Sequence, residues 1–299
     1  MTVHLQAEPP LVPGGGQGTA DATTIETPSG KGSGDENFPV GSRLIAPALR
    51  PHVMRYYAFA RGTDDIADDE ALSAEEKIRR LDACEAAVRS GTGAPDFAVA
   101  LHHSLAETAV GVDCATDLLI AFRQDARQAR YADWPALLEY CRYSAHPVGR
   151  YLLHLHGEAP STATAGDALC AALQVLNHLQ DLGTDRRRLD RVYLPQDWMA
   201  EAGIDETALD ADHASPGLRR VIDRCLDGTD ALLDTARPLA RQIRSRRLGA
   251  ETAVIQRLAE RLARRLRRED PLAGRVKHSR LDYAAGALAG LRRLLSASV

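Results

Sequence analysis

The sequence contains few aromatic residues and no long apolar run. Phe, Trp and Tyr together make up 5% of the 299 residues, so aromatic rings alone cannot line a large binding cavity. A helix that crosses a membrane needs roughly 20 predominantly apolar residues, and no uninterrupted run of that kind is present. The N-terminus does not combine a basic region with a following apolar one, so we expect no secretory signal.

Closely spaced cysteines are missing as well. The five cysteines are odd in number, lie far apart in the chain and form no CxxC pair, which argues against a disulfide framework or a zinc site. Unpaired, widely spaced cysteines are typical of proteins in a reducing compartment, and we therefore predict a cytoplasmic protein. The cysteines are Cys84, Cys114, Cys141, Cys170 and Cys225.

Lysine is scarce, so arginine carries nearly all of the positive charge. Only three of the 37 basic residues are lysines. Arginine forms bidentate contacts with phosphate, but a high arginine content is also a property of genome composition, and composition alone leaves both explanations open. The net charge of −4 gives no reason to expect binding to nucleic acid. No glycine-rich segment fits GxxxxGK[ST] or GxGxxG, so no nucleotide-binding loop is predicted.

The first 34 residues differ in composition from the rest of the chain. They contain seven glycines, four prolines and no aromatic residue, and a segment of this kind cannot bury enough apolar surface to offset the entropy of ordering. We predict a disordered N-terminal tail over residues 1–34 and one all-α domain over residues 35–299.

Behind this tail the pattern is helical almost throughout, because apolar residues recur at intervals of three and four. One helix should end near Asp69. The next should begin at Ser73, which forms a capping box with Glu76, and should end before Gly91. Pro147 should bend a later helix. Further helices are predicted at about 96–110, 113–131, 133–157, 163–188, 215–245, 248–269 and 279–297.

The segment "TDDIADD" gathers four aspartates within seven residues. On a helix, Asp64 and Asp68 are four residues apart and share one face, and Asp65 and Asp69 repeat this spacing on the neighbouring face. Carboxylates placed in this way repel one another, whereas a divalent cation would reverse the sign of the interaction. Mg²⁺ is the natural candidate because it takes a few carboxylates and bridges to phosphates. The alternative is a solvated acidic helix end.

Two residues that precede this acidic segment lie on roughly the same face of the helix. Arg61 comes three residues and Tyr57 seven residues before Asp64. An arginine one turn from a carboxylate cluster forms either a simple salt bridge or a contact to the phosphate that a metal ion brings in.

A second polar stripe lies in "LQVLNHLQDLGTD". Asn177, Asp181 and Asp185 follow one another at four-residue spacing, and Gln174 lies three residues before the first of them. The stripe is either the solvent face of an apolar helix or a set of oxygen ligands of the kind a hard cation prefers. Helix bundles build metal sites from facing helices, so the two acidic segments together favour the second interpretation.

Four separated motifs resemble those of the squalene/phytoene synthase family. They are "YAFAR" with "TDDIAD", "QVLNHLQDLGTD" with "LDRVYLP", "ENFPVGSRL" (Glu36–Leu44) and "YCRYSAHPVGR" (Tyr140–Arg150). The resemblance spans about residues 35–280. It implies the all-α isoprenoid synthase fold, a single helical bundle around a central apolar cavity, and Mg²⁺-dependent chemistry on prenyl diphosphates.

Within the family the chain is most similar to the bacterial hydroxysqualene synthases of the hopanoid route. These enzymes ionise presqualene diphosphate and capture the rearranged cation with water, so no nicotinamide cofactor is expected. Relatives that condense two prenyl diphosphates commonly have arginine just before the aspartate of the second motif, where this chain has Gln180. A condensing enzyme that makes presqualene diphosphate, dehydrosqualene or phytoene is the alternative.

The resemblance also implies roles for individual residues. Tyr140 corresponds to the central tyrosine of the family, which stabilises the cation or guides proton transfer, and Tyr57 should lie nearby in the pocket. Arg61 and Arg191 should bind the diphosphate, with Tyr193 near it, and Gln174 should orient it. The expected Mg²⁺ ligands are Asp64, Asp68, Asn177, Asp181 and Asp185.

The segment "VIQRLAERLARRLRRED" predicts a basic amphipathic helix. Its apolar face carries Ile255, Leu258, Leu262 and Leu266, and arginines cover the opposite side. A helix of this kind either lies on an anionic membrane surface or packs in a bundle with a solvated arginine face. We favour the packed helix and keep a peripheral contact with the inner face of the membrane as the alternative. The sequence does not indicate an oligomeric state.

Overall fold

The computed structural model describes residues 44–296, which form twelve α-helices, two short strands and two single 3₁₀ turns. The all-α prediction is confirmed. The predicted tail, residues 1–34, lies outside the described residues. The helices are α1 (Arg50–Asp68), α2 (Ala74–Ser90), α3 (Asp96–Thr108), α4 (Asp113–Asp125), α5 (Trp134–Ser144), α6 (His146–Leu155), α7 (Ala163–Leu189), α8 (Gln196–Glu201), α9 (Pro216–Ala236), α10 (Leu239–Gln242), α11 (Arg246–Leu266) and α12 (Arg280–Leu295). The strands are β1 (Arg130–Tyr131) and β2 (Val192–Pro195), and they pair in parallel.

Side-chain caps define several helix starts. The Ser73 hydroxyl accepts a hydrogen bond from the Glu76 backbone N–H at 3.3 Å, so α2 begins where the sequence predicted. The reciprocal half of the capping box is not formed there, because the Glu76 carboxylate instead accepts hydrogen bonds from two arginines of its own helix. A complete capping box joins Ser279 and Asp282 at the start of α12. Gly91, with φ at 73°, ends α2 as predicted.

Three predicted helices are shorter than expected. The helix predicted at 133–157 is broken into α5 and α6 at Ala145, whose φ and ψ of −128° and −43° are not helical. Pro147 lacks an N–H and sits at the start of α6, so it interrupts the helix instead of only bending it. Pro238 separates α9 from α10 in the same way within the helix predicted at 215–245. The helix predicted at 113–131 ends at Asp125, and β1 follows it.

The core consists of two clusters of buried side chains. One cluster is built mainly on α1 to α4, where the stacked rings of Tyr56 and Tyr151 lie 3.9 Å apart. The other surrounds α7, the 27-residue helix that packs against α5, α6, α9 and α11. A cavity lies between the clusters, because both supply residues to its wall.

Helix α11 places its predicted apolar face inside the protein. Leu258, Leu262 and Leu266 are buried, and Ile255 is half-buried on the wall of the cavity. Three of its six arginines pair with acidic neighbours, for example Arg265 with Asp282 at 2.7 Å. The helix is therefore a packed bundle helix, as the favoured interpretation predicted. No helix among residues 44–296 is both long and apolar enough to cross a membrane.

Candidate active site

The cavity between the two core clusters has a volume of about 330 Å³, which is within the range of small-molecule sites. Apolar side chains make up most of its wall, in agreement with the central apolar cavity that the family resemblance implies. Six of the predicted site residues line it together: Tyr57, Arg61, Asp64, Tyr140, Gln174 and Asn177. Residues far apart in the sequence on α1, α5 and α7 therefore meet at one polar end of an apolar cavity.

The first acidic segment forms the end of α1, and Arg61 holds two of its carboxylates. The guanidinium group lies 2.9 Å from Asp64 and 2.6 Å from Asp65. Asp69 follows the helix, and its carboxylate accepts a hydrogen bond from the Ala71 backbone at 2.9 Å. Burial, then the charge of Asp68, raise the pKa of Asp64 well above its usual value, although Arg61 acts in the opposite direction. The carboxylates of this segment therefore repel one another even with an arginine among them.

The second polar stripe runs along α7 and away from the cavity. Gln174 and Asn177 reach the cavity wall, whereas Asp181, one turn later, pairs with Arg275 at 3.0 Å. Asp185 lies a further turn along, where its backbone carbonyl accepts a hydrogen bond from the Arg191 N–H at 3.2 Å. The stripe thus leads from the cavity to the C-terminal end of α7.

Arg191 connects the two acidic segments. It is 6% exposed, and its guanidinium group lies 2.5 Å from the Asp68 carboxylate and donates to the Ala67 carbonyl at 3.1 Å. Burial lowers the pKa of Arg191, but the charges of Asp125, Tyr193 and Asp68 outweigh this effect and leave the pKa above its ordinary value. Arg191 is therefore a permanent cation between the end of α1 and the end of α7.

Asp125 is a site residue that the sequence analysis missed. Its carboxylate accepts hydrogen bonds from the Tyr140 hydroxyl at 2.9 Å and from the Tyr193 hydroxyl at 3.4 Å. Burial, opposed by Arg191 and by the Tyr140 hydrogen bond, raises the pKa of Asp125 to about 7. One signal was available: Asp125 lies seven residues after Leu118 and three after Phe122, so it continues the buried face of α4.

Aromatic rings surround the Asp125 carboxylate. Tyr193 lies on β2, and its ring is 5.5 Å from that of Tyr140 and stacks on the His178 ring at 3.6 Å. Burial, and then the charge of Arg191, lower the pKa of His178 to about 3, so this imidazole is neutral. Burial also raises the pKa of Tyr140 well above its ordinary value. Tyr140 is therefore a neutral phenol that donates a hydrogen bond to Asp125 and presents its ring to the cavity.

The predicted metal ligands have suitable chemistry but are not gathered around one point. Within residues 44–296, no group of three His, Cys, Asp or Glu side chains is close enough to hold a metal ion. Asp64, Asp68 and Asp181 each contact an arginine instead. Their carboxylate oxygens are the donors that Mg²⁺ prefers. Burial, and then the charge of Asp68, raise the pKa of Asp64, and a cation nearby would offset both effects. The residues therefore fit Mg²⁺ by donor type and charge.

Gln180, the position that distinguishes this chain from condensing relatives, points away from the cavity. Its side chain is buried and its amide donates to the Val276 carbonyl in the loop that follows α11. This contact lies beside the Asp181–Arg275 pair, so Gln180 helps to hold the loop against α7.

Comparison with known proteins agrees with this architecture. The family model described as squalene/phytoene synthase matches residues 32–282. The chain belongs to the squalene/phytoene synthase family. It is 45% identical over 258 residues to hydroxysqualene synthase of Rhodopseudomonas palustris, covering 86% of this chain and 88% of that protein. It is 43% identical to hydroxysqualene synthase of Zymomonas mobilis over 85% of this chain and 86% of that protein.

Solved structures of this family share the fold. The crystal structure of squalene synthase HpnC from Alicyclobacillus acidocaldarius is similar with a TM-score of 0.69 and 34% identity, over 77% of this chain and 87% of that one. A dehydrosqualene synthase in complex with ligand is similar with a TM-score of 0.72 over 86% of this chain and 91% of that one, at 20% identity. The isoprenoid synthase fold implied by the four motifs is thereby confirmed.

Proposed function

We propose that this chain converts presqualene diphosphate to hydroxysqualene, with release of diphosphate, as a step of squalene and hopanoid biosynthesis in the cytoplasm. The similarity to the Rhodopseudomonas palustris hydroxysqualene synthase over nearly the whole length of both proteins carries this proposal. The cavity supports it, because an apolar wall suits a long prenyl chain and the polar end carries Arg61, Asp64 and Asn177.

The polar end of the cavity is the proposed diphosphate site. Arg61 and Arg191 would bind the diphosphate oxygens by charge-assisted hydrogen bonds, and Gln174 would orient the group from the wall. When bound, Mg²⁺ would neutralise the negative charge that develops on the departing diphosphate. The proposed ligands of Mg²⁺ are Asp64, Asp68, Asn177, Asp181 and Asp185.

Tyr140 and Asp125 are suited to the capture of the cation by water. Because the Tyr140 hydroxyl donates to Asp125, its oxygen lone pairs are left to accept a hydrogen bond from the capturing water. After attack, the water proton would pass to the Tyr140 oxygen as the Tyr140 proton moves to Asp125, which leaves a neutral alcohol and a protonated carboxyl. The Tyr140 ring face, with Tyr57 near it on the wall, would stabilise the cation by roughly 0.5–2 kcal/mol.

Product analysis with presqualene diphosphate, Mg²⁺ and no nicotinamide cofactor tests the proposal. In water enriched in ¹⁸O, we expect hydroxysqualene whose mass is raised by the isotope increment, and added NADPH should not divert the product to squalene. The same reaction with Asp64→Ala is the control for product that forms without the enzyme.

The alternative is a condensing enzyme. The chain is also 31% identical to a phytoene synthase of Narcissus pseudonarcissus over 57% of its length. Consumption of farnesyl diphosphate, or a C30 hydrocarbon that requires reductant, would favour that alternative and refute hydroxysqualene formation.

A further inference from the structure

The outer face of α12 is an exposed apolar stripe. Seven large apolar side chains are exposed within residues 44–296, and five of them are on this helix. Leu281, Leu288, Leu291 and Leu295 are between 47% and 77% exposed, and their spacings of seven, three and four place them along one side of the helix. We call these four residues the α12 leucine stripe.

The opposite face of α12 is fixed firmly to α11, so the stripe is held in place. A Cβ atom at Gly290 would lie 2.7 Å from Val254, which shows how closely the two helices approach. Arg265 pairs with Asp282 at the start of α12, and Arg293 donates to the Ala240 carbonyl near its end. Because both ends are held, the stripe projects from a rigid surface.

The surroundings of the stripe are strongly basic. Residues 237–299 contain sixteen arginines and lysines but only five carboxylates, a formal charge of +11, so the rest of the chain carries −15. Seven exposed arginines in this segment form no ion pair within residues 44–296. They are Arg241, Arg246, Arg247, Arg264, Arg268, Arg280 and Arg292.

We propose that the α12 leucine stripe is a membrane-docking surface that inserts into the headgroup region of an anionic phospholipid bilayer. Exposed leucines flanked by unpaired arginines match such a surface in both polarity and charge. A second copy of the chain matches it less well, because a two-fold interface would bring two segments of charge +11 together. The surface assignment does not depend on the proposed reaction.

This surface lies directly behind the cavity. Thr252 and Ile255 of α11 line the cavity, while Val254 of the same helix contacts α12. One helix, roughly 10 Å across, therefore separates the docking surface from the cavity, which would place an enzyme for long prenyl chains at the bilayer where such chains partition. The membrane contact thus involves α12, and the apolar face of α11 is already buried.

Vesicle flotation tests the proposal with the full chain. Vesicles of equimolar phosphatidylcholine and phosphatidylglycerol should carry the protein, and vesicles of phosphatidylcholine alone should carry much less. The variant Leu288→Glu/Leu291→Glu should bind the anionic vesicles more than about tenfold more weakly, with an unchanged circular dichroism melting curve. Ile120→Glu on α4, which is 43% exposed, is the matched control and should bind like the wild type.

Three results would overturn the proposal. The first is a wild-type chain that does not float with anionic vesicles. The second is equal loss of binding in Ile120→Glu. The third is a wild-type dimer in light scattering that Leu288→Glu/Leu291→Glu converts to a monomer, since the occupant would then be a second copy.

Discussion

Replacement of Asp125 by asparagine should separate the function of this carboxyl from its effect on stability. The substitution preserves the shape of the side chain and removes its charge. Tyr140 then loses a charged acceptor at 2.9 Å, and hydrogen bonds to charged groups contribute about 1.5–3 kcal/mol. At about 1.4 kcal/mol per factor of ten, formation of the alcohol should slow by roughly 10- to 150-fold. We expect a slowing near the lower end of this range, because the side-chain carbonyl of asparagine can still accept a hydrogen bond from the Tyr140 hydroxyl.

The same variant should be more stable than the wild type at alkaline pH. The pKa of Asp125 is about 7 in the folded protein, against about 3.9 in an unfolded chain. Between these values the folded state binds more protons than the unfolded state, so wild-type stability falls as pH rises from about 4 to 7. If the whole pKa difference of Asp125 contributed to the free energy of unfolding, it would correspond to about 4 kcal/mol. Because the carboxylate is partly exposed to solvent, we expect Asp125→Asn to stabilise the protein by only about 1–2 kcal/mol at alkaline pH.

Two measurements check these expectations together. Melting temperatures of wild type and Asp125→Asn should differ by roughly 2–8 °C at pH 8 and converge near pH 4. Single-turnover assays with presqualene diphosphate should show that diphosphate release falls less than hydroxysqualene formation. If the variant is destabilised at pH 8, or if both rates fall equally, Asp125 supports the fold and does not act on cation capture.

Four further substitutions test other parts of the site. Asp64→Ala and Asp181→Ala should each abolish turnover yet keep the helical circular dichroism signal, because removal of a mutually repelling carboxylate does not weaken the helix; loss of the fold would make these residues structural. Tyr140→Phe should reduce the correct alcohol more than diphosphate release, whereas equal loss would place Tyr140 in ionisation or folding. Arg275→Gln should lower the half-saturating Mg²⁺ concentration by up to about fivefold, since a partly exposed ion pair to Asp181 contributes about 1 kcal/mol or less; an unchanged or higher requirement would contradict this.

Local spacing predicted much of the structure. The pairing of Arg61 with the carboxylates of α1 follows from its three- and four-residue separations. The start of α2 was predicted from Ser73 and its end from Gly91, because helix capping depends on only a few neighbouring residues. The meeting of Tyr57, Asn177 and Tyr140 at one cavity was implied only by the family resemblance, since it depends on how three distant helices pack.

Features that depend on tertiary contacts were not predictable from spacing. Asp125 is a single carboxyl at a helix end, and its importance arises from Tyr140 and Tyr193, which other elements bring to it. The strand pair that positions Tyr193 is too short to give a period-two pattern. Arg275, the partner of Asp181, lies in a loop 94 residues away, where no local pattern connects the two residues.

The arginines explain how so acidic a site can exist in a stable fold. The carboxylates of the first acidic segment repel one another, and Arg61, Arg191 and Arg275 supply positive charge at three separate points. Arg61 lies on α1 itself, whereas Arg191 and Arg275 come from segments distant in the sequence that pack beside the carboxylates, so each of these arginines places positive charge next to a carboxylate. The same guanidinium groups are suited to bind phosphate oxygens in a bidentate manner. Under the proposed function they would contact the diphosphate, and the carboxylates would hold Mg²⁺. A lysine would supply the same charge without the planar group that binds phosphate in a bidentate manner, which favours arginine at these three positions.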